Sequence, residues 1–165
     1  MSRYAVLGLG NRIEGDEALG ALVIERLGAN PGLLASLPDP DAVDLIDGGT
    51  VGLGLIPYLT DLVGLVVVDV INGGKAPGTL IDLEGSSLIA HQQVMSVHDL
   101  GAGELLGALF VMDAWPTRVR VIGLEPQLIE LGLELTPAVA AGVSALLDAV
   151  VSYLAEWQRV DAAAA

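Results

Sequence analysis

Three side chains of metal-binding type lie at the predicted ends of secondary structure elements. Glu17 lies between the first predicted strand and the helix that follows it, Asp69 closes a buried apolar run, and His98 directly precedes a predicted helix. Two carboxylates and one imidazole suit a divalent metal with open positions for water or for a partner's ligands. No two of these residues share a short local motif. The predicted metal site therefore depends on a fold that brings all three together.

Asp69 carries the strongest of these signals, because it interrupts the run 65–71, whose other six residues are leucine, valine or isoleucine. An ionised carboxylate in such a run costs on the order of several kcal/mol unless it is paired, hydrogen-bonded or bound to metal. The chain has seven Lys and Arg residues in total, so basic partners are few. The pattern favours a metal or a neighbouring histidine as the partner of Asp69.

The two histidines differ in their context. His98 comes just before the predicted helix that begins near Asp99, where the positive end of the helix dipole favours the neutral imidazole that metals require. His91 has no such context, and we interpret it as a structural or surface residue. His98 is therefore the predicted ligand.

Two further acidic positions have competing interpretations. Asp47, in Asp47-Gly48-Gly49-Thr50, ends the second predicted strand, where carboxylates of open α/β sheets face a ligand cleft. It equally suits a turn in which it caps the next helix or closes an Asx-turn. Asp16 and Glu17 open the first helix, where acidic side chains also complement the helix dipole, worth roughly 0.3 to 1 kcal/mol. Sequence alone leaves both pairs of alternatives open.

The elements that must position these residues alternate along the chain. Apolar runs predict five strands, the last of them weaker, at 4–7, 43–46, 65–70, 119–123 and 79–83. Amphipathic stretches predict helices at 16–27, 53–59, 99–110 and 137–157. The alternation predicts an α/β fold: one domain with a twisted, mostly parallel, mixed five-stranded sheet and helices on both faces. The link 72–78 is too short for a crossover helix and predicts a hairpin with an antiparallel strand. We expect the domain to span 1–160 and residues 161–165 to fray.

Composition excludes several classes of function. The chain has 165 residues, a formal net charge of -14 and no cysteine. The charge disfavours nucleic acid and anionic membranes as partners, and the lack of cysteine excludes disulfides, thiolate metal sites and cysteine nucleophiles. A dinucleotide fingerprint fails because Ile13 occupies the position of its third glycine, so a nucleotide-binding oxidoreductase is a minor alternative. The N-terminus lacks the features of a signal peptide, and we expect a cytoplasmic protein.

Five segments together resemble those of the maturation endopeptidases of nickel–iron hydrogenases, which trim the C-terminal extension of the large-subunit precursor. They occur in the family's order from about Arg3 to Leu154: Gly8-Leu9-Gly10-Asn11 with Asp16-Glu17-Ala18-Leu19-Gly20, Asp47-Gly48-Gly49-Thr50, Val68-Asp69, Ser96-Val97-His98-Asp99-Leu100-Gly101, and Gly123-Leu124-Glu125-Pro126. The charged residues Arg12 and Glu14 depart from the family pattern and leave the client hydrogenase open.

The resemblance implies roles for the residues singled out above. Glu17, Asp69 and His98 match the family's metal-binding residues, and Asp47 matches an acidic residue that is important for processing. The metal implied is nickel, supplied by the precursor, although other divalent metals suit the same ligands. We expect hydrolysis by a water molecule with Asp47 as general base, since the chain has neither cysteine nor a Gly-x-Ser-x-Gly elbow. The alternative is a non-catalytic, metal-sensing chaperone that binds the precursor.

Overall fold

The fold is a single α/β domain, as the sequence predicts. The computed structural model describes residues 3–90 and 102–165. Its five strands are β1 (Tyr4–Leu9), β2 (Val43–Gly49), β3 (Gly64–Val70), β4 (Leu80–Glu84) and β5 (Arg118–Leu124). They form one sheet in the order β2-β1-β3-β5-β4, in which β4 alone runs antiparallel. The parallel strands therefore share one carboxyl edge.

Within residues 3–90 and 102–165, five α-helices and four short 3₁₀ turns accompany the strands. The helices are α1 (Leu19–Ala29), α2 (Ile56–Leu59), α3 (Gly85–Ala90), α4 (Ala102–Val111) and α5 (Pro137–Ala164). The 3₁₀ turns are Gly15–Ala18, Pro31–Leu33, Pro40–Ala42 and Gly52–Leu55. The predicted first helix is thus a 3₁₀ turn followed by α1, and α3 has no counterpart in the prediction.

Alternating side chains of the central strands build two separate cores. On one face Val6 and Val68 pack with α1 and α5, and on the other face Leu7 and Val67 pack with α2 and α4. β3 is buried along its whole length, which explains its continuous apolar sequence. The predicted arrangement of helices on both faces is confirmed.

The sequence correctly predicts an antiparallel strand after the link, but the predicted hairpin gives that strand the wrong neighbour. β4 is antiparallel, but it pairs with β5 rather than with β3. β3 already has parallel neighbours on both sides, β1 and β5. The link of residues 71–79 carries the chain past β5 to the edge of the sheet. The local sequence does not indicate how far across the sheet a link extends, so the neighbour of β4 could not be predicted from it.

The C-terminal helix extends further than predicted. α5 includes residues 161–164 of the expected frayed tail, and Asp161 accepts hydrogen bonds from Arg118 at 3.0 and 2.7 Å. By length and composition alone α5 is long and apolar enough to cross a membrane, since its most apolar 18-residue stretch has a mean hydropathy of 1.8. Its buried side chains, Val143, Leu146 and Val150 among them, pack on the sheet, as in the core helix of a folded domain.

Candidate functional site

Gly10 lies at the junction where the carboxyl edge of the sheet meets the turn that carries Glu17. It follows β1 with a φ of 114°, and its N–H donates to the carbonyl oxygen of Gly49 at 3.0 Å. A Cβ atom at this position would overlap the carbonyl oxygen of Glu17 and would lie 3.7 Å from Oδ1 of Asp69. Only glycine therefore allows the backbone of Glu17 to approach the strand end so closely, at a point that also lies near Asp69. We call the surroundings of Gly10, Glu17 and Asp69 the edge junction.

Asp69 contributes a buried carboxylate to the edge junction. It is the second-last residue of β3, and its side chain belongs to the face of the sheet that packs on α4, as do those of Leu65 and Val67. Its Oδ1 accepts a hydrogen bond from the N–H of Val70 at 2.8 Å. This arrangement satisfies the expectation of a buried, hydrogen-bonded carboxylate at a strand end.

Glu17 is half-buried and lies in the 3₁₀ turn before α1. Burial raises the pKa of its carboxyl above the usual 4.5, and the neighbouring negative charge of Glu14 raises it further. A hydrogen bond from the N–H of Asn11 opposes these effects without cancelling them. A cation at this carboxylate would relieve both desolvation and repulsion, so its chemistry fits the predicted metal ligand.

The third predicted ligand, His98, lies outside the described residues, as does His91. Within 3–90 and 102–165, no group of three histidine, cysteine, aspartate or glutamate residues is arranged to hold a metal ion. The structure places the backbone of Glu17 and the carboxylate of Asp69 on either side of Gly10, and the ligand set itself stays a prediction.

Asp47 lies on the other face of the sheet from Asp69. It pairs in register with Gly8, and Gly8 pairs with Val68, so the strand alternation turns Asp47 and Asp69 to opposite sides. Its exposed carboxylate accepts hydrogen bonds from Nε and Nη2 of Arg12 at 3.1 and 2.6 Å. Arg12 also donates a hydrogen bond to Glu25 of α1. The hydrogen bond to Glu25 makes the largest contribution to raising the pKa of Arg12, and the hydrogen bonds to Asp47 raise it further. The 3₁₀ turn at Gly52–Leu55 has no side-chain cap, so Arg12 is the partner of Asp47 instead.

Asp16 has a role that sequence reasoning missed. It is fully buried and accepts hydrogen bonds from the backbone N–H groups of Gln127, Leu128 and Thr136 at 2.9, 3.0 and 2.7 Å. The hydroxyl of Thr136 donates a further bond at 3.0 Å. Its partners lie 111 to 120 positions away, so no local motif reports them. Asp16 fastens the segment between β5 and α5 to the turn that carries Glu17.

The charge of Asp16 suits this environment of neutral donors. Burial acts to raise the pKa of its carboxyl, but the hydrogen bonds from Leu128, Thr136 and Gln127 outweigh it and lower the pKa below the usual 3.8. The carboxylate is therefore ionised at neutral pH, and the donors that hold it are neutral groups.

Comparison with known proteins identifies relatives over nearly the whole chain. The family model described as hydrogenase maturation protease matches residues 31–153. The hydrogenase expression/formation protein HupD of Rhodobacter capsulatus is 34% identical over 158 residues, which is 94% of this chain and 72% of HupD. The hydrogenase 2 maturation protease of Escherichia coli is 33% identical over 93% of this chain and 92% of its own.

Solved structures agree with these sequence relatives. The hydrogenase maturating endopeptidase HybD from Escherichia coli is 31% identical, with a TM-score of 0.79 over 93% of each chain. The hydrogenase 2 maturation peptidase from a thaumarchaeote is 32% identical, with a TM-score of 0.67 over 93% of this chain and 98% of its own. The sheet and its flanking helices are therefore the fold of solved endopeptidases.

Proposed function

This chain belongs to the hydrogenase maturation protease family, and we propose that it removes the C-terminal extension of a nickel–iron hydrogenase large-subunit precursor after nickel insertion. It is a peptidase by family. The observation that carries the finer proposal is the edge junction, where Gly10 brings the turn of Glu17 beside the buried carboxylate of Asp69. Carboxylates at the carboxyl edge of a parallel sheet suit recognition of a metal already held by another chain.

In this proposal nickel arrives with the precursor as part of the substrate. Glu17, Asp69 and His98 supply two oxygen donors and one nitrogen donor toward it, and cysteines of the precursor supply the softer ligands. Recognition of the loaded precursor then depends on donors from two chains. A precursor without nickel would lack this contact and would bind less tightly.

We propose that Asp47 acts as the general base for hydrolysis. Its exposed carboxylate takes a proton from water, the hydroxide oxygen bonds to the scissile carbonyl carbon, and the proton passes to the leaving amine as the C–N bond breaks. Asp47 and Asp69 lie on opposite faces of the carboxyl edge, so an extended precursor segment that crosses this edge would pass both. Arg12 must release Asp47 or turn aside with it when the precursor binds.

Mass spectrometry of a purified large-subunit precursor, incubated with this protein with and without nickel loading, tests the proposal. We expect a short C-terminal peptide to be lost only from the loaded precursor. Asp47→Asn should abolish that loss while complex formation with the precursor persists, since the amide cannot accept the proton. Complex formation without cleavage by the unmodified protein would instead support the chaperone, and cleavage of nickel-free precursor would contradict recognition through nickel. The cytoplasm stays the predicted compartment, which cell fractionation tests.

A further inference from the structure

The segment between β5 and α5 exposes large apolar side chains beside the edge junction. Every residue from Gln127 to Glu134 is exposed, and the leucines at 131 and 133 are 83% and 80% accessible to solvent. Connecting segments on a protein surface are normally polar, so this composition is unusual. We call five exposed residues of this region the apolar rim: Ile13, Leu128, Ile129, Leu131 and Leu133.

The backbone under the apolar rim is held in place. Gly15 donates to the carbonyl oxygen of Gly132 at 3.0 Å, and Gly132 donates to that of Ile13 at 2.9 Å. These bonds belong to a parallel β-bridge between Glu14 and Gly132. The carboxylate of Asp16 holds both ends of the segment by accepting hydrogen bonds from the N–H groups of Gln127 and Thr136. The exposed side chains therefore sit on an ordered support, which lowers the entropy that a partner's binding would cost.

The support of the apolar rim is the same turn that carries Glu17. Within the turn Gly15–Ala18, Gly15 donates its N–H to the carbonyl oxygen of Gly132, and Glu17 belongs to the edge junction. The edge junction and the apolar rim therefore share one turn, which places a chain bound at the first near the second.

The charges around the apolar rim indicate the chemistry of its partner. Glu130 and Glu134 are exposed within the segment, and no Lys or Arg occurs between Arg120 and Arg159. A partner that covers this surface needs apolar side chains for the leucines and basic ones for the glutamates. A second copy of this chain, with a net charge of -14, would bring like charges together.

We propose that the apolar rim docks an apolar, lysine- or arginine-bearing segment of the hydrogenase large-subunit precursor, next to the part of the precursor that enters the edge junction. This inference rests on the proposed function and adds the surface by which the enzyme holds its substrate. Docking of this kind stabilises the bound precursor and the transition state equally, so it acts on KM and leaves kcat unchanged.

Steady-state cleavage of nickel-loaded precursor by the double variant Leu131→Ser with Leu133→Ser is the test. We expect kcat/KM to fall roughly tenfold or more, through KM, with kcat within about twofold of the unmodified protein. Val111→Ser is the matched control, because Val111 is 84% exposed at the far end of α4. It should leave both constants unchanged.

Two additional measurements separate this inference from the proposed function. Affinity of the precursor for an Asp47→Asn protein should fall when the two serines are added, whether or not the unmodified protein cleaves. Glu130→Lys with Glu134→Lys should also weaken binding and reduce its dependence on salt. An unmodified protein that binds through the apolar rim but does not cleave would refute the proposed activity and leave the docking surface supported.

Three results would overturn the docking surface. One is an unchanged kcat/KM for the serine double variant. Another is a loss confined to kcat at unchanged KM, which would assign the segment to the chemistry instead. The third is a dimer of the unmodified protein in solution that the two serines dissociate, which would make a second copy the occupant.

Discussion

The two edges of the parallel strands hold acidic side chains in different ways. At the amino edge, Asp161 receives two side-chain hydrogen bonds from Arg118 and one from the hydroxyl of Tyr4. At the carboxyl edge, Asp16 is held by neutral donors, most of them backbone N–H groups. The amino edge is thus closed by an ion pair between side chains. At the carboxyl edge the buried charge of Asp16 instead orders the backbone of the segment between β5 and α5.

The largest effect should come from Gly10→Ala. The added Cβ overlaps the carbonyl oxygen of Glu17 at a φ of 114°, so the turn must move away from Asp69. We expect precursor cleavage to fall by roughly a hundredfold or more, as misplaced catalytic groups commonly cause. Gly74→Ala is the matched control, since Gly74 has a φ of 69° with no atom near the Cβ position. Full activity of Gly10→Ala would disprove the geometric role of this glycine.

Asp16→Asn should show that the backbone order at the carboxyl edge depends on the buried negative charge of Asp16. The amide turns two donors toward a site that already contains three N–H groups and a hydroxyl. We expect the free energy of unfolding to fall by about 2 to 4 kcal/mol and the apolar rim to lose its order. Urea denaturation measures the first effect, and amide hydrogen exchange at Gln127, Leu128 and Thr136 measures the second. Protection of those amides equal to the unmodified protein would contradict this role.

Asp161→Asn should cost less, because its site is partly open to water. The loss expected is about 1 kcal/mol in the free energy of unfolding at neutral pH, with precursor cleavage unchanged. Urea denaturation and the cleavage assay measure the two quantities on one protein preparation. Loss of cleavage in this variant would mean that the two edges are not separable.

The same ion pair should also make the stability of the fold depend on pH. Hydrogen bonds from Arg118 lower the pKa of Asp161 below the usual 3.8, against the opposing effect of burial. The pair therefore stabilises the fold fully above the unfolded pKa, and this contribution disappears as pH falls through the lower, folded value. Between pH 6 and pH 3 the unmodified protein should lose about 1 kcal/mol more than Asp161→Asn does. Parallel urea titrations at both pH values test this, and equal losses would contradict it.

Sequence reasoning predicted the strands and the buried carboxylate of Asp69, because both follow from patterns within a few residues. A continuous apolar run predicts a strand that is buried on both faces of the sheet, and a charged residue inside such a run indicates a candidate functional site. The role of Asp16 and the pairing of β4 with β5 depend on contacts between distant segments. The apolar rim could not be predicted from sequence either. Leucines such as Leu131 and Leu133 are typical of a protein core, and only the structure shows that these two are exposed.

The most direct test of the account compares Asp69→Asn with Asp161→Asn in cleavage of nickel-loaded precursor, followed by mass spectrometry. Asp69 belongs to the edge junction and Asp161 to the amino edge, and both substitutions replace a carboxylate with an amide of equal size. We predict that Asp69→Asn, shown to be folded by its thermal melt, leaves the precursor intact, while Asp161→Asn releases the C-terminal peptide at the unmodified rate. Release of the peptide by Asp69→Asn at that same rate would contradict the edge junction as the site that recognises the loaded precursor.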